Sequence, residues 1–289
     1  MNILDDFKMQ YRLGGIAQKL IFWNVGIAIP FFLFKAFAPN LFEIILEWTS
    51  LSSNGMTVLM RPWTLLTYAF LHADFFHLLF NMIVLNFASR LFTTYFTQKQ
   101  LFGLYLLGAI FAGLLFVVSD LFFGNYTILV GASGAIMAIL VAAATYTPFS
   151  EVRLLLIGNV KMWHIAVALV VLDLIQIPLY NTGGHIAHLG GAFFGFLYIK
   201  LLQNGTDLSK GVSAFLDYIS GLFRPNKTTP FKTVHRNTQK QSPTSKPVPA
   251  ADKKDMTQKQ IDEILDKISK SGYDSLTKEE KEFLFKVGK

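Results

Sequence analysis

Six long apolar stretches are the feature that most restricts what this chain can fold into. They lie near residues 18–38, 74–93, 100–121, 131–147, 160–180 and 184–202. About 20 apolar residues in a helix cross the hydrocarbon core of a bilayer. Charged residues make up only 16% of the chain, against roughly 25% in soluble domains. The sequence therefore predicts an all-α, polytopic protein with six transmembrane helices, and the lipid bilayer as its surroundings.

Composition narrows the classes of function. The chain has no cysteine, which excludes disulfides, cysteine–zinc sites and thiol catalysis. Its net charge is +7, but the basic residues cluster at the amino end, in alternate loops and in the tail, which favours lipid contact over nucleic-acid binding. The first stretch lacks a small-residue cleavage site, so we expect a retained anchor and not a signal peptide.

The loop charges predict an orientation. Lysine and arginine are concentrated after the second, fourth and sixth stretches, at Arg90, Lys99, Arg153, Lys161, Lys210, Arg224, Lys227 and Lys232. The loops between them are poor in both residues. Because basic loops stay on the cytoplasmic side, we expect both termini in the cytoplasm.

The composition also predicts a domain organisation. Residues 1–17 are a cytoplasmic N-terminal segment and residues 18–205 are the six-span core. Residues 206–256 combine a basic amphipathic segment with a disordered linker, and residues 257–289 form a small helical hairpin of unknown role. Thr257 with Gln260, and Thr277 with Glu280, have the spacing of capping boxes. So small a hairpin has little core of its own, so we expect it to bind an unknown partner.

Polar residues lie where three of the spans begin, and polar groups in spans are costly. They are His77 and Asn81 in the second span, Ser133 between Gly131 and Gly134 in the fourth, and His188 on one face with Gly191 and Gly195 in the sixth. Each set alone has a structural interpretation, either hydrogen bonding between helices or close packing of small residues. The predicted topology, however, places all of them at one depth near the outer surface, which favours a common site.

Acyl transfer is the chemistry that such a set can perform. A serine nucleophile needs a base within hydrogen-bond reach, and a histidine supplies one. An asparagine amide, a second histidine and the backbone N–H at the head of the fourth span can stabilise an oxyanion. We expect neither a metal nor a cofactor.

The strings "HLLFN" (77–81), "GASG" (131–134) and "AHLGGAFFG" (187–195) occur in the order and on the spans of the rhomboid intramembrane serine proteases, and residues 15–205 resemble that family. The resemblance implies a Ser–His dyad with Ser133 as nucleophile and His188 as general base. It implies an oxyanion hole of His77, Asn81 and the Ser133 N–H, and transmembrane segments of proteins as substrates. The tail and composition resemble Bacteroidetes-like members.

The sequence departs from the family pattern at two places. Arg61 precedes Pro62 in the first loop, where family members commonly have an arginine directly after the tryptophan that Trp63 matches. Met137 stands where some members have a tyrosine that stacks on the catalytic histidine. These changes affect the expected anchoring of the loop and the support of the histidine.

Two further polar residues have open roles. His185 is interpreted as a solvated residue or a neighbour of the site, and not as a metal ligand. A His185→Ala protein is expected to keep most of its activity. Asp173, in the fifth stretch, either assists a histidine or makes a structural hydrogen bond, and we expect the latter.

Other classes of protein compete with the protease. His185, His188 and His77 could bind the metal of an intramembrane metalloprotease, but there is no H-E-x-x-H motif. A rhomboid-like protein that binds membrane segments without cleaving them would lack the serine or the histidine. A transporter would show internal repeats.

Overall fold

The computed structural model describes residues 2–124, 127–154, 157–223 and 252–287. Two compact units divide the chain, Met1–Lys227 and Thr228–Lys289. The main helices of the first unit are α1 (Ile3–Leu13), α2 (Ile16–Phe37), α3 (Pro39–Thr49), α4 (Gly55–Met60), α5 (Thr64–Thr67), α6 (Phe75–Thr93), α7 (Gln98–Phe123), α8 (Ser133–Tyr146), α9 (Met162–Gln176), α10 (Thr182–Gln203) and α11 (Ser209–Phe223). The second unit contains α12 (Asp252–Ser271) and α13 (Lys278–Val287).

The helical membrane bundle predicted from the sequence is confirmed, although two of its helices are short. In the described residues, α2, α6, α7 and α10 are long and apolar enough to cross a bilayer, while α8 and α9 are apolar helices of 14 and 15 residues. The helices α8 and α9 are thus shorter than the predicted spans 131–147 and 160–180, and the count of six spans stays a prediction. Gly131 has a φ of 133°, which no helix accommodates. Ile177 is still helical in its backbone angles, but Pro178 has no N–H group with which to continue the helical hydrogen bonds of α9.

Helix α8 lies at the centre of the first unit, where it packs against α6, α7, α9 and α10. At 1.5 Å per residue its 14 residues are about 21 Å long, against roughly 30 Å for the hydrocarbon core. Non-helical backbone at membrane depth is tolerated only where protein encloses it or water reaches it. A short, enclosed α8 therefore allows its first residue, Ser133, to lie below the membrane surface.

Glycines on α10 bring its backbone against that of α8. A Cβ atom added to Gly191 would lie 1.9 Å from the Gly134 carbonyl oxygen, and one added to Gly195 would lie 2.1 Å from the Ala138 carbonyl oxygen. Both distances are far inside van der Waals contact, so only glycine permits this approach. The predicted face of Gly191 and Gly195 is thus in direct contact with Gly134 and Ala138 of α8.

Two small antiparallel sheets were not predicted. Strand β1 (Leu51–Ser52) pairs with β2 (Ile128–Leu129), with Leu51 opposite Leu129. Strand β3 (Glu151–Leu154) pairs with β4 (Gly158–Lys161) in the loop before α9. The first sheet ties the segment that leads into Ser133 to the long loop after α2.

The long first loop is anchored by an aromatic and charged cluster. The Arg61 guanidinium lies 4.4 Å from the Trp48 ring centre and forms an ion pair of 2.8 Å with Glu47. The rings of Trp48 and Trp63 stack at 6.0 Å. Arg61 therefore anchors this loop from a position different from the family pattern.

The C-terminal unit is a helical hairpin. Gly272, with a φ of 76°, follows the last residue of α12, and the predicted capping box of Thr277 and Glu280 begins α13. The box predicted at Thr257 is wrong, because α12 already begins at Asp252. The predicted disordered linker falls largely on residues 224–251, outside the described residues.

Candidate active site

Ser133 and His188 meet between α8 and α10. Ser133 is the first residue of α8, and His188 is in the second turn of α10, one helical turn before Gly191. The His188 Nε2 atom lies 2.7 Å from the Ser133 Oγ, and both residues are only partly buried. The close helix contact at Gly191 brings the two side chains within hydrogen-bond distance of each other.

Asp173 lies behind His188. Its Oδ1 atom is 2.9 Å from the Nδ1 of His188 and 2.7 Å from the Nδ1 of His185. The carboxylate is thus shared by two histidines of α10, and serine, histidine and carboxylate form a continuous chain. This differs from the two-residue dyad that the resemblance implied.

The structure distinguishes between the alternatives for His185 and Asp173. His185 is only 6% exposed, so it is a neighbour of the site and not a solvated residue. The hydrogen bond of Asp173 is not remote from the site, because Asp173 contacts His188, the histidine that faces Ser133. The sequence did contain a signal, namely a carboxylate in an otherwise apolar helix followed by two histidines in the next helix.

His77 lies on the other side of Ser133. A Cβ atom at Gly131 would be 2.9 Å from the His77 Nε2 and 3.6 Å from the Ser133 Oγ, so both side chains border the same glycine. The Ala73 N–H approaches the His77 Nδ1 at 3.4 Å. Because that contact makes Nδ1 the acceptor, the proton of the neutral ring lies on Nε2, which is then a donor beside the serine.

Asn81 is a buried polar residue on the same helix as His77. It is one helical turn beyond His77 and only 7% exposed. In the described part of the chain its Nδ2 atom is buried without a hydrogen-bond partner. A buried amide without a partner is costly, and it is available to bind a negative charge that forms during a reaction.

The turn before α8 is held by a buried tyrosine. The Gly131 N–H donates to the Tyr68 carbonyl at 2.9 Å, and the Tyr68 hydroxyl donates to the Ala109 carbonyl of α7 at 2.7 Å. These bonds fix the backbone around Gly131 relative to the bundle, which fixes the N–H groups that lead into Ser133.

His72, which lies outside the spans, packs against the ring of His77. It is fully buried, and its ring lies edge-on to that of His77 at 5.2 Å. Burial, and then the neighbouring His77, lower the pKa of His72 to about 4. His72 is therefore neutral at neutral pH, and it adds no charge next to the site.

A metal site is the other arrangement that these side chains allow. The ligand atoms of Asp173, His185 and His188 lie within 4.8 Å of one another. His77, the third ligand in the metalloprotease hypothesis, lies instead beside Gly131. The present geometry directs both Nδ1 atoms at one carboxylate oxygen and the His188 Nε2 at Ser133, which is the pattern of a hydrogen-bonded network.

A family model described as "Rhomboid domain" matches residues 60–204, half of the 289-residue chain. The chain belongs to the rhomboid family. The matched region contains every residue of the site described above. A second model, described as a family of unknown function (DUF6576), matches residues 251–287.

Curated relatives of this rhomboid protein carry the name presenilin-associated rhomboid-like protein, mitochondrial. The Homo sapiens protein is 30% identical over 164 residues, which are 56% of this chain and 42% of that protein. The Rattus norvegicus protein is 29% identical over 164 residues, 56% of this chain and 43% of its own length. The Danio rerio protein A is 32% identical over 134 residues, 45% and 35% of the two chains. The chain thus spans less than half the length of these relatives.

Proposed function

We propose that the protein is an intramembrane serine endopeptidase that cleaves a peptide bond in or next to a transmembrane segment of its substrates. The observation that carries this proposal is the 2.7 Å contact between the Ser133 Oγ and the His188 Nε2. A serine within hydrogen-bond distance of a histidine is the arrangement that makes a hydroxyl nucleophilic. Membership of the rhomboid family supports the same assignment.

The proposed reaction begins with attack of the Ser133 Oγ on the scissile carbonyl carbon, while its proton passes to the His188 Nε2. The resulting oxyanion accepts hydrogen bonds from the His77 Nε2, the Asn81 Nδ2 and the Ser133 N–H. When the carbon–nitrogen bond breaks, His188 returns the proton to the leaving amine. Water then attacks the acyl-enzyme and gives a proton to His188. When the ester bond to the Ser133 Oγ breaks, the second product leaves and His188 returns that proton to the Ser133 Oγ.

The proposed substrates are single transmembrane segments, because the site lies between helices of a membrane bundle. We place the protein in the cytoplasmic membrane of a bacterium, with both termini cytoplasmic and the site opening towards the outer face. The basic loops support this orientation. Chemical labelling of single cysteines introduced at either end of α6 checks it, because the chain has no cysteine of its own.

A binder that holds membrane segments without cleaving them is the alternative. The relatives named above are called rhomboid-like, and their names state no activity. The polar groups favour the protease, because a binder does not need a serine hydrogen-bonded to a histidine.

Cleavage of a model transmembrane substrate by the purified protein tests the proposal. Ser133→Ala and His188→Ala are each expected to abolish cleavage while thermal unfolding stays close to that of the unmodified protein. Ser89→Ala is the matched control, because it removes another buried serine hydroxyl of the bundle. A serine-directed phosphonate is expected to label Ser133, and the label is expected to disappear in Ser133→Ala.

Full activity in both site variants would refute the serine mechanism. Binding of the substrate without cleavage, and without phosphonate labelling, would favour the binder. Inhibition by a chelator without labelling would favour a metal-dependent enzyme.

A further inference from the structure

We propose that Asp173 is a positioning residue for His188, and that His185 holds Asp173 in place. The inference rests on the proposed protease function. It adds Asp173 and His185 to the pair of Ser133 and His188. It concerns one carboxylate oxygen, the Asp173 Oδ1, which lies 2.9 Å from the His188 Nδ1 and 2.7 Å from the His185 Nδ1.

The shared carboxylate decides which nitrogen of His188 carries the proton. An ionised carboxylate only accepts hydrogen bonds, so Nδ1 of His188 must be the donor. In the neutral ring, Nε2 then has a free lone pair, and it accepts the hydroxyl proton of Ser133 at 2.7 Å. The other tautomer would place a proton on Nε2, where it could not act as a base. Asp173 therefore selects the productive form.

The same contact stabilises the charge that forms during the reaction. When the Ser133 proton moves to Nε2, His188 becomes a cation whose Nδ1 lies 2.9 Å from a carboxylate of opposite charge. The Asp173 side chain is 9% exposed and the His188 side chain is 26% exposed. The carboxylate is therefore less accessible to bulk water than the imidazole. Asp173 keeps its negative charge throughout, and no proton is transferred to it.

His185 is placed to hold the Asp173 carboxylate in position. It is buried, and its ring meets that of Tyr180 edge-on at 5.6 Å. Within the described residues, its Nε2 has no hydrogen-bond partner, so the Asp173 contact is the polar contact that orients the ring. Two N–H donors also offset the cost of burying a carboxylate, and both tie α9 to α10. His185 and His188 thus contact the same carboxylate but have different roles: His185 holds Asp173 in place, and His188 acts as the base.

Three variants of Asp173 and His185 test the inference with the full chain. Asp173→Asn keeps the size and an acceptor oxygen but removes the charge, whereas Asp173→Leu removes both. We expect kcat to fall by roughly 10- to 100-fold in Asp173→Asn and further in Asp173→Leu. For comparison, kcat falls about 10⁴-fold when the aspartate of a soluble serine-protease triad becomes an amide. His185→Ala is expected to lose less than tenfold, because His188 keeps its carboxylate.

Three readouts separate positioning from a structural role. KM should stay within about twofold, and the affinity for the intact substrate should be the same in Ser133→Ala and in Ser133→Ala with Asp173→Asn. The rate of phosphonate labelling at Ser133 should fall in parallel with kcat. Asp120→Asn is the matched control, since it removes another carboxylate of the bundle that lies outside the site, and its kcat should equal that of the unmodified protein.

The outcomes distinguish this inference from the proposed function. Cleavage that survives in Ser133→Ala would overturn the protease itself. Cleavage that requires Ser133 but is unchanged in Asp173→Asn would overturn only the role of Asp173. A fall in substrate affinity and unfolding temperature that tracks the fall in kcat would make Asp173 a structural residue and would also overturn the inference.

Discussion

Gly191→Ala is the substitution whose effect follows most directly from the structure. The new Cβ would lie 1.9 Å from the Gly134 carbonyl oxygen, and Gly134 is the residue after Ser133. A carbon and an oxygen without a bond need about 3.4 Å, so α8 and α10 must separate by roughly 1 Å or more. Because His188 is one turn from Gly191, this movement stretches the 2.7 Å contact between the Ser133 Oγ and the His188 Nε2.

The size of the effect can be worked out from this displacement. Overpacking at a close contact costs about 1–3 kcal/mol of unfolding free energy. A misplacement of about 1 Å at a catalytic group costs on the order of 100-fold in rate. We therefore expect Gly191→Ala to lower the free energy of unfolding by about 1–3 kcal/mol, and with it the unfolding temperature. We expect kcat to fall on the order of 100-fold.

Two other glycines make the measurement selective. Gly195→Ala creates a similar clash, 2.1 Å from the Ala138 carbonyl oxygen, but one turn further from the site. It should lower the unfolding temperature by a similar amount with a smaller loss of kcat. Gly26→Ala in α2 meets no described atom within 4 Å and should lower neither. A Gly191→Ala protein with normal kcat would contradict the argued link between helix contact and the site.

Two further predictions concern α6 and the segment before it. Asn81→Ala should lower kcat by about 100-fold through loss of an oxyanion donor, whereas Asn86→Ala, at an exposed position of the same helix, should not; equal activities would remove Asn81 from the oxyanion hole. The pKa of His72 is about 4 in the folded protein and about 6.5 in the unfolded chain, so the unfolded chain binds more protons between these values and stability falls as pH decreases through them. Between pH 6.5 and 5 the loss should be about 1.6 kcal/mol; His72→Leu should remove this part of the pH dependence, and His164→Gln, which changes an exposed histidine, should not. An unchanged pH dependence in His72→Leu would show that another group is responsible.

The approximate helix positions and the order of the motifs could be predicted from the sequence because both depend on local patterns. Apolar length identifies a membrane helix whatever surrounds it. Small residues at a spacing of four identify a face that another helix approaches. For this reason Ser133, His188 and the Gly191–Gly195 face could be grouped before any coordinates were known.

The ends of the shorter helices could not be predicted with the same accuracy. Tertiary contacts decide where α8 begins, because β1 pairs with β2 and Tyr68 binds Gly131 just before Ser133. The paired strands lie more than 70 residues apart in sequence, and no local pattern contains that information.

The roles of the two histidines illustrate the same division. The sequence by itself determined that this is a bundle of membrane helices, because hydropathy is a property of single helices. Its motifs resemble those of the rhomboid family, and that resemblance implied the pairing of Ser133 with His188. Only the tertiary structure decided that Asp173 reaches both His185 and His188, because the rotation of α9 against α10 depends on how all their neighbours pack. A one-residue difference in that rotation would turn the carboxylate by about 100°, away from both rings.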